Sequence, residues 1–150
     1  MGMLSGRILV AVDGTDTSEP AVTAATELSE RTGSEIHLVY VGEEITETQT
    51  PQSRGSDAEV GEEARRLLDE KARQIESGGG AVGRSSVVPG SDPADEIVKL
   101  TRDDDVGMVV VGNRGLGPLK YAVRGSVSNT VVREAFCPVL VVRVDDELGE

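Results

Sequence analysis

The sequence predicts an α/β fold: a single doubly wound, five-stranded parallel sheet with helices on both faces. Three observations lead there. Five short runs rich in β-branched residues alternate with four stretches of helical periodicity, in the order β-α-β-α-β-α-β-α-β. The runs are continuously apolar instead of alternating, the pattern of strands covered on both faces. Most connections are short, so each helix returns the chain to a parallel strand by a right-handed crossover. At 150 residues one domain is expected, spanning the whole chain with its core at about 7–144.

Each element has its own signal. Residues 7–12 (RILVAV) are a buried strand, and Asp13-Gly14-Thr15 turns the chain. Ser18 is placed to cap the first helix, with Pro20 in the first turn, where its missing N–H costs little. Ala21, Ala24, Ala25 and Leu28 then share one helical face, and Gly33 stops the helix. Residues 35–41 (EIHLVYV) are the second strand. Residues 42–56 are polar, lack any period and read as a mobile connection, placed to close over a cleft as a lid. A helix over 57–76 carries Ala64, Leu67, Leu68, Ala72 and Ile75 on one face and ends at Ser77-Gly78-Gly79-Gly80. The third strand lies within 81–88. Asp92 caps a third helix that Pro93 begins, with Ala94, Ile97, Val98 and Leu100 as its apolar set. Residues 106–111 form the fourth strand, 126–135 the fourth helix, and 139–144 (VLVVRV), after Pro138, the fifth strand. The acidic tail, 145–150, is expected to fray.

Composition narrows the function. A net charge of -12 argues against nucleic acid as a partner, because neutralising phosphates needs basic surface. Tyr40, Tyr121 and Phe136 are too few for a base-stacking platform. No run approaches the roughly 18 apolar residues of a membrane span. The first residues pass straight into a strand without an apolar signal-peptide core, so the expected location is cytoplasmic. Cys137 has no second cysteine to pair with, in keeping with a reducing compartment. Acids are many and the lysines are Lys71, Lys99 and Lys120 alone, the balance a halophilic cytoplasm favours; the plainer reading is an ordinary acidic protein.

One stretch departs from that balance. Residues 106–133 hold no Asp or Glu, where the chain's 27 acids in proportion would put about five. Arg114, Lys120, Arg124 and Arg133 are there instead. Gly112-Asn113-Arg114-Gly115 follows the fourth strand directly, and Gly125-Ser126 opens the fourth helix, a G-x2-G-x9-G-S spacing. Glycines let the backbone approach an anion, and a helix start offers unpaired N–H groups and partial positive charge. In doubly wound sheets ligands sit beyond the carboxyl ends of the strands where the winding reverses. Together these predict a polyphosphate site; the bland alternative is that the glycines only turn the loop and Ser126 only caps the helix. Gly78-x-Gly80-x-x-Gly83 matches a dinucleotide fingerprint by letters, but it follows a helix and precedes a strand, the reverse of the required context. No Walker-type spacing occurs.

VGNRGLG…RGSVSNTVVREAFCPVLVVR, with RILVAVDGTDTSEPAV at the start, resembles the universal stress protein family of the nucleotide-binding type. The resemblance runs from about Arg7 to Val144. It implies a fold of the adenine nucleotide alpha hydrolase-like, Rossmann-like kind, ATP or another adenine nucleotide as ligand, and a homodimer; Mg2+ is expected with the nucleotide because three phosphates bring more charge than the loop cations cancel. By position it implies phosphate and ribose contacts from Gly112, Asn113, Arg114, Gly115, Leu116, Gly117, Gly125, Ser126, Val127 and Ser128. Asp13 matches a ribose or adenine contact, Ala11 and Val12 line the pocket, and Val41 matches the position whose backbone reads the adenine edge. Asn113 departs from the Ser or Thr that often follows the first glycine.

No catalytic residue is expected. His37 lies inside the second strand and reads as a packed histidine, Cys137 as a core residue, and Asp103-Asp104-Asp105 as a solvated turn. No serine elbow accompanies Ser126. A receiver domain would need a carboxylate ending the third strand, where Val88-Pro89 stands. Slow hydrolysis at most is expected, with the nucleotide stabilising a conformation or a dimer. The dimer is expected through residues 139–144 at the sheet edge. The rival readings are a weak ATPase or autokinase, with Ser126 or Ser128 as acceptor, and a nucleotide-free interaction domain.

Overall fold

The computed structural model describes residues 6–13, 18–42, 54–89, 92–113 and 126–143, of which 42, 54–60 and 126 are described as backbone. The strands are β1 (Arg7–Val12), β2 (Ile36–Gly42), β3 (Val82–Pro89), β4 (Val106–Gly112) and β5 (Val139–Val142). Between them run α1 (Glu19–Thr32), α2 (Arg54–Ser77), α3 (Pro93–Leu100) and α4 (Ser126–Glu134). All pairings are parallel, in the order β3-β2-β1-β4-β5. From β1 the chain winds outward through β2 to β3. It then crosses back to β4 on the other side of β1 and continues to β5, so the winding reverses between β1 and β4.

Strand residues alternate between two apolar layers, as a pleated backbone requires. Ile8, Val10, Val12, Ile36, Leu38 and Val110 pack against Ala21, Val22 and Ala25 of α1 and Leu68 and Ile75 of α2. Leu9, Ala11, Val39, Val41, Val109 and Val111 pack against Ala94, Ile97 and Val98 of α3 and Val127 and Val131 of α4. The helices of the two winding directions therefore take opposite faces. Each layer removes several fully buried aliphatic side chains from water, at about 1.5–3 kcal/mol apiece. Burial on both faces, expected of every strand, holds for β1 and for the middle of β2 and β4. The edges β3 and β5 are half-exposed, because each has a neighbour on one side only.

Several expected boundaries shift. Ser18 was expected to cap α1 with its side chain; it lies in the right-handed helical region and makes no such bond. Pro20 does sit in the first turn, and Gly33 at φ 81° closes the helix by donating its N–H to Ser29 O at 2.8 Å. Gly42 still belongs to β2, and α2 starts at Arg54, ahead of the expected residue 57. Arg54-Gly55-Ser56 has no apolar period to announce a helix, which propagates backward from its packed half. Residues 43–53 and the tail lie outside the described residues. The Oδ1 of Asp92 accepts the Asp95 N–H at 3.2 Å, the expected cap of α3. β3 takes in Pro89, α4 ends at Glu134, and β5 ends at Val142. Lys71 and Gln74 of α2 both reach the Glu19 carboxylate, tying the start of α1 to α2.

Candidate functional site

The reversal of winding brings the ends of β1 and β4 side by side. Val10 stands in register with Val110. Two residues further on come Val12 and Gly112, and then Asp13 and Asn113 leave the sheet. The chain goes from β1 to a helix on one face and from β4 to a helix on the other, which opens a crevice at the strand ends. Val127, in the first turn of α4, packs into the same layer as Ala11, Val41 and Val111. The first turn of α4 thus joins the apolar layer that also holds Ala11, Val41 and Val111 from the last residues of β1, β2 and β4.

That helix start is electrostatically distinctive. α1 carries Glu19 in its first turn, and α3 carries Asp95 and Glu96 behind the Asp92 cap. The first turn of α4 has no acid. No acidic side chain in that first turn compensates the helix dipole, which suits an anion.

Each residue singled out from the sequence has a definite place. Ala11 and Val41 are buried on the α3/α4 face, together with Val127. Val12 is buried in the opposite layer, against α1, so a ligand in the crevice could meet it only through its backbone. Asp13 is half-buried at the mouth of β1, and Gly112 closes β4. The Asn113 N–H donates to Val142 O at 2.9 Å, continuing the β4–β5 ladder. That amide is therefore spent, and an anion contact from Asn113 would need its other groups. Ser126 opens α4 and Ser128 is buried within it. Arg114, Gly115, Leu116, Gly117 and Gly125 lie outside the described residues, as do Lys120 and Arg124. Arg133, counted with the basic stretch, sits in the last turn of α4, at the far end from the crevice. There it complements the helix dipole. Sequence reasoning did not single out Val111. Its signal was there: it has the parity of Val109 and immediately precedes Gly112.

The residues set aside as non-catalytic are far from the crevice. His37 is buried near the amino end of β2 and shares a hydrogen bond of 3.0 Å with Ser86 Oγ. Burial first, then the Arg84 and Arg7 guanidiniums, depress its pKa to about 4, with Asp103 opposing. Cys137 packs beside the α3/α4 layer, and burial raises its thiol pKa, the opposite of what a nucleophile needs. In the aspartate run, Asp103 Oδ1 accepts the Asp105 N–H at 2.9 Å, a turn as expected.

The sequence pattern that defines the universal stress protein family matches residues 5–143. The chain belongs to this family. The universal stress protein YxiE of Bacillus subtilis is 32% identical over 148 residues, which cover 91% of this chain and 98% of that one. Among solved structures, the hypothetical protein MJ0577 superposes with a TM-score of 0.77 at 26% identity, covering 95% of this chain and 99% of its own. The universal stress protein from Archaeoglobus fulgidus in complex with dAMP gives a TM-score of 0.63 at 21% identity, over 93% and 98% of the two chains, a likeness of fold. No described helix of this universal stress protein is long and apolar enough to cross a membrane.

Proposed function

We propose that this universal stress protein binds ATP, or another adenine nucleotide, with Mg2+ in the crevice between β1 and β4. It acts there as a cytoplasmic, nucleotide-dependent stress-response switch or scaffold. The observation that carries this reading is the acid-free first turn of α4, whose Val127 shares an apolar layer with Ala11 and Val111 at the adjoining ends of β1 and β4. A multiply charged anion would otherwise be repelled by a molecule of net charge -12. In this reading the phosphates meet the backbone of Gly112, Gly115, Gly117, Gly125 and Ser126 and the charge of Arg114. Asp13 meets the ribose or base. Adenine lies against aliphatic side chains, with the Val41 backbone on its edge. Mg2+ offsets phosphate charge that the loop cations leave over. His37 is hydrogen-bonded elsewhere and unsuited as a base at the phosphates, which favours a ligand-gated role over fast hydrolysis. β5 is an edge strand with Val141 exposed, which supports a homodimer through that edge.

The test is to denature the purified protein and identify released small molecules by mass spectrometry, then titrate nucleotide-free protein with ATP-Mg. Adenine nucleotide in the extract, or saturable binding, supports the reading. A ligand-free extract with no binding favours the interaction-domain alternative.

A further inference from the structure

An open cavity of about 390 Å3 lies at the end of the sheet away from the crevice, lined by Thr101, Arg102, Asp103, Asp104, Val106 and Phe136. The first four follow α3, Phe136 follows α4, and Val106 opens β4. The volume has room for a whole side chain, since one water takes about 30 Å3. Val106 is six residues before Gly112, so the cavity is about 20 Å from the crevice at 3.3 Å per residue.

The ring at the edge of this cavity is held in place, yet open. Thr101 is buried; its hydroxyl donates to Val98 O at 2.6 Å and accepts the Phe136 N–H at 3.1 Å. The Arg102 guanidinium stands over the ring, 5.0 Å from its centre. Phe136 is nonetheless 62% exposed, so ring surface is left for a second contact. Val132, four residues earlier on α4, is exposed as well. An aromatic side chain that is already ordered gives up little freedom on contact, which is what an interface anchor needs.

The charge beside the ring is negative. Two carboxylates and one guanidinium line the cavity, and among the described residues none of the three takes part in an ion pair. Asp103 Oδ1 accepts the Asp105 N–H, and Asp103 also acts on His37, so Asp104 is the less engaged of the two. The other bases of this region are placed elsewhere. Lys99 reaches Asp95 and Glu96, Arg7 bears on His37, and Arg133 does not line the cavity. Arg102 shows that the ring accepts a guanidinium, and the neighbouring carboxylates suit a second cation.

We propose that this cavity is a docking point for a partner protein that inserts an arginine or lysine side chain. The inserted charge meets Asp103 and Asp104, and its apolar stem lies against the Phe136 ring. An apolar neighbour on the partner covers the rest of the ring.

The probe is the tripeptide acetyl-Leu-Arg-Leu-amide, titrated into the full, isotope-labelled chain at constant ionic strength. Backbone amide signals are followed by NMR. The expected result is a saturable shift of the Arg102, Asp103, Asp104 and Phe136 amides, with a Kd of about 1 mM. Twins with glutamate or citrulline in place of arginine should not saturate. Asp104→Asn and Phe136→Leu should each weaken binding about threefold, whereas Glu63→Gln, on the exposed face of α2, should leave it unchanged. Four results overturn the proposal. Shifts spread over the acidic surface, and weakened as much by Glu63→Gln, mean general attraction only. Saturation by the glutamate twin removes the need for a cation. Saturation by spermidine as tight as by the tripeptide makes the occupant a free polyamine. Movement of the same amides with protein concentration alone puts a second copy there. The shift map of the unsubstituted protein decides the matter even if a variant does not fold.

Discussion

Acid should destabilise this protein more than its His37→Gln variant. In the folded chain burial, reinforced by Arg84 and Arg7, holds the His37 pKa at about 4, against 6.5 for a free imidazole. The unfolded chain therefore takes up a proton that the folded chain refuses throughout that window. Stability is at full value above pH 6.5, falls as the pH drops toward 4, and loses nothing further from this group below it. At about 1.4 kcal/mol per tenfold difference in proton affinity, the loss is about 3 kcal/mol. Against the 5–15 kcal/mol that holds a typical domain together, that is a large fraction. Urea unfolding followed by circular dichroism at pH 7, 6, 5 and 4, in chloride buffers, measures it. The chain's many carboxylates also titrate here, so the informative quantity is the difference between the two proteins. Between pH 7 and 4 the native protein should lose about 3 kcal/mol more than the variant, with unchanged m-values. Parallel stability curves would refute the reasoning. So would an NMR titration that places the His37 pKa near 6.5.

Other expectations follow from packing and backbone geometry. Ile97 is fully buried in the α3/α4 layer. Ile97→Ala should cost about 2–5 kcal/mol in denaturant unfolding; a loss under 1 kcal/mol would mean α3 is not seated as described. Gly33 closes α1 at φ 81°, so Gly33→Ala should cost about 1 kcal/mol by the same assay, and a neutral result would argue against the left-handed cap. Val141 is 38% exposed on the edge strand β5. If the homodimer forms along that edge, Val141→Lys should yield monomers in analytical ultracentrifugation with the fold intact, and a persisting dimer would place the interface elsewhere.

The fold was legible where apolar runs have sharp borders. Arg7 and Asp13 frame β1 to the residue, and Asp92-Pro93 announces α3 because a cap and a proline leave little freedom. It was less legible where packing overrides local signals, as at the start of α2, whose first residues are polar. The serine cap of α1 failed for a related reason. Ser18 is buried and continues into the helix, so composition alone misread its role. At the site, the sequence marked both strand ends and the helix start that converge. Strand alternation already implied that Val12 faces away from Ala11's layer, but the sequence could not show that the Asn113 amide is taken by β5, since that depends on the pairing partner. The face that Arg84 joins was hidden altogether, because one extra residue at Gly83 decides it.

Isothermal titration of nucleotide-free protein with ATP-Mg tests the central claim most directly. Saturable binding of one nucleotide per chain, weakened by Asp13→Ala and undiminished by Arg84→Gln, is the predicted result. No heat and no thermal shift at millimolar ATP-Mg would contradict it.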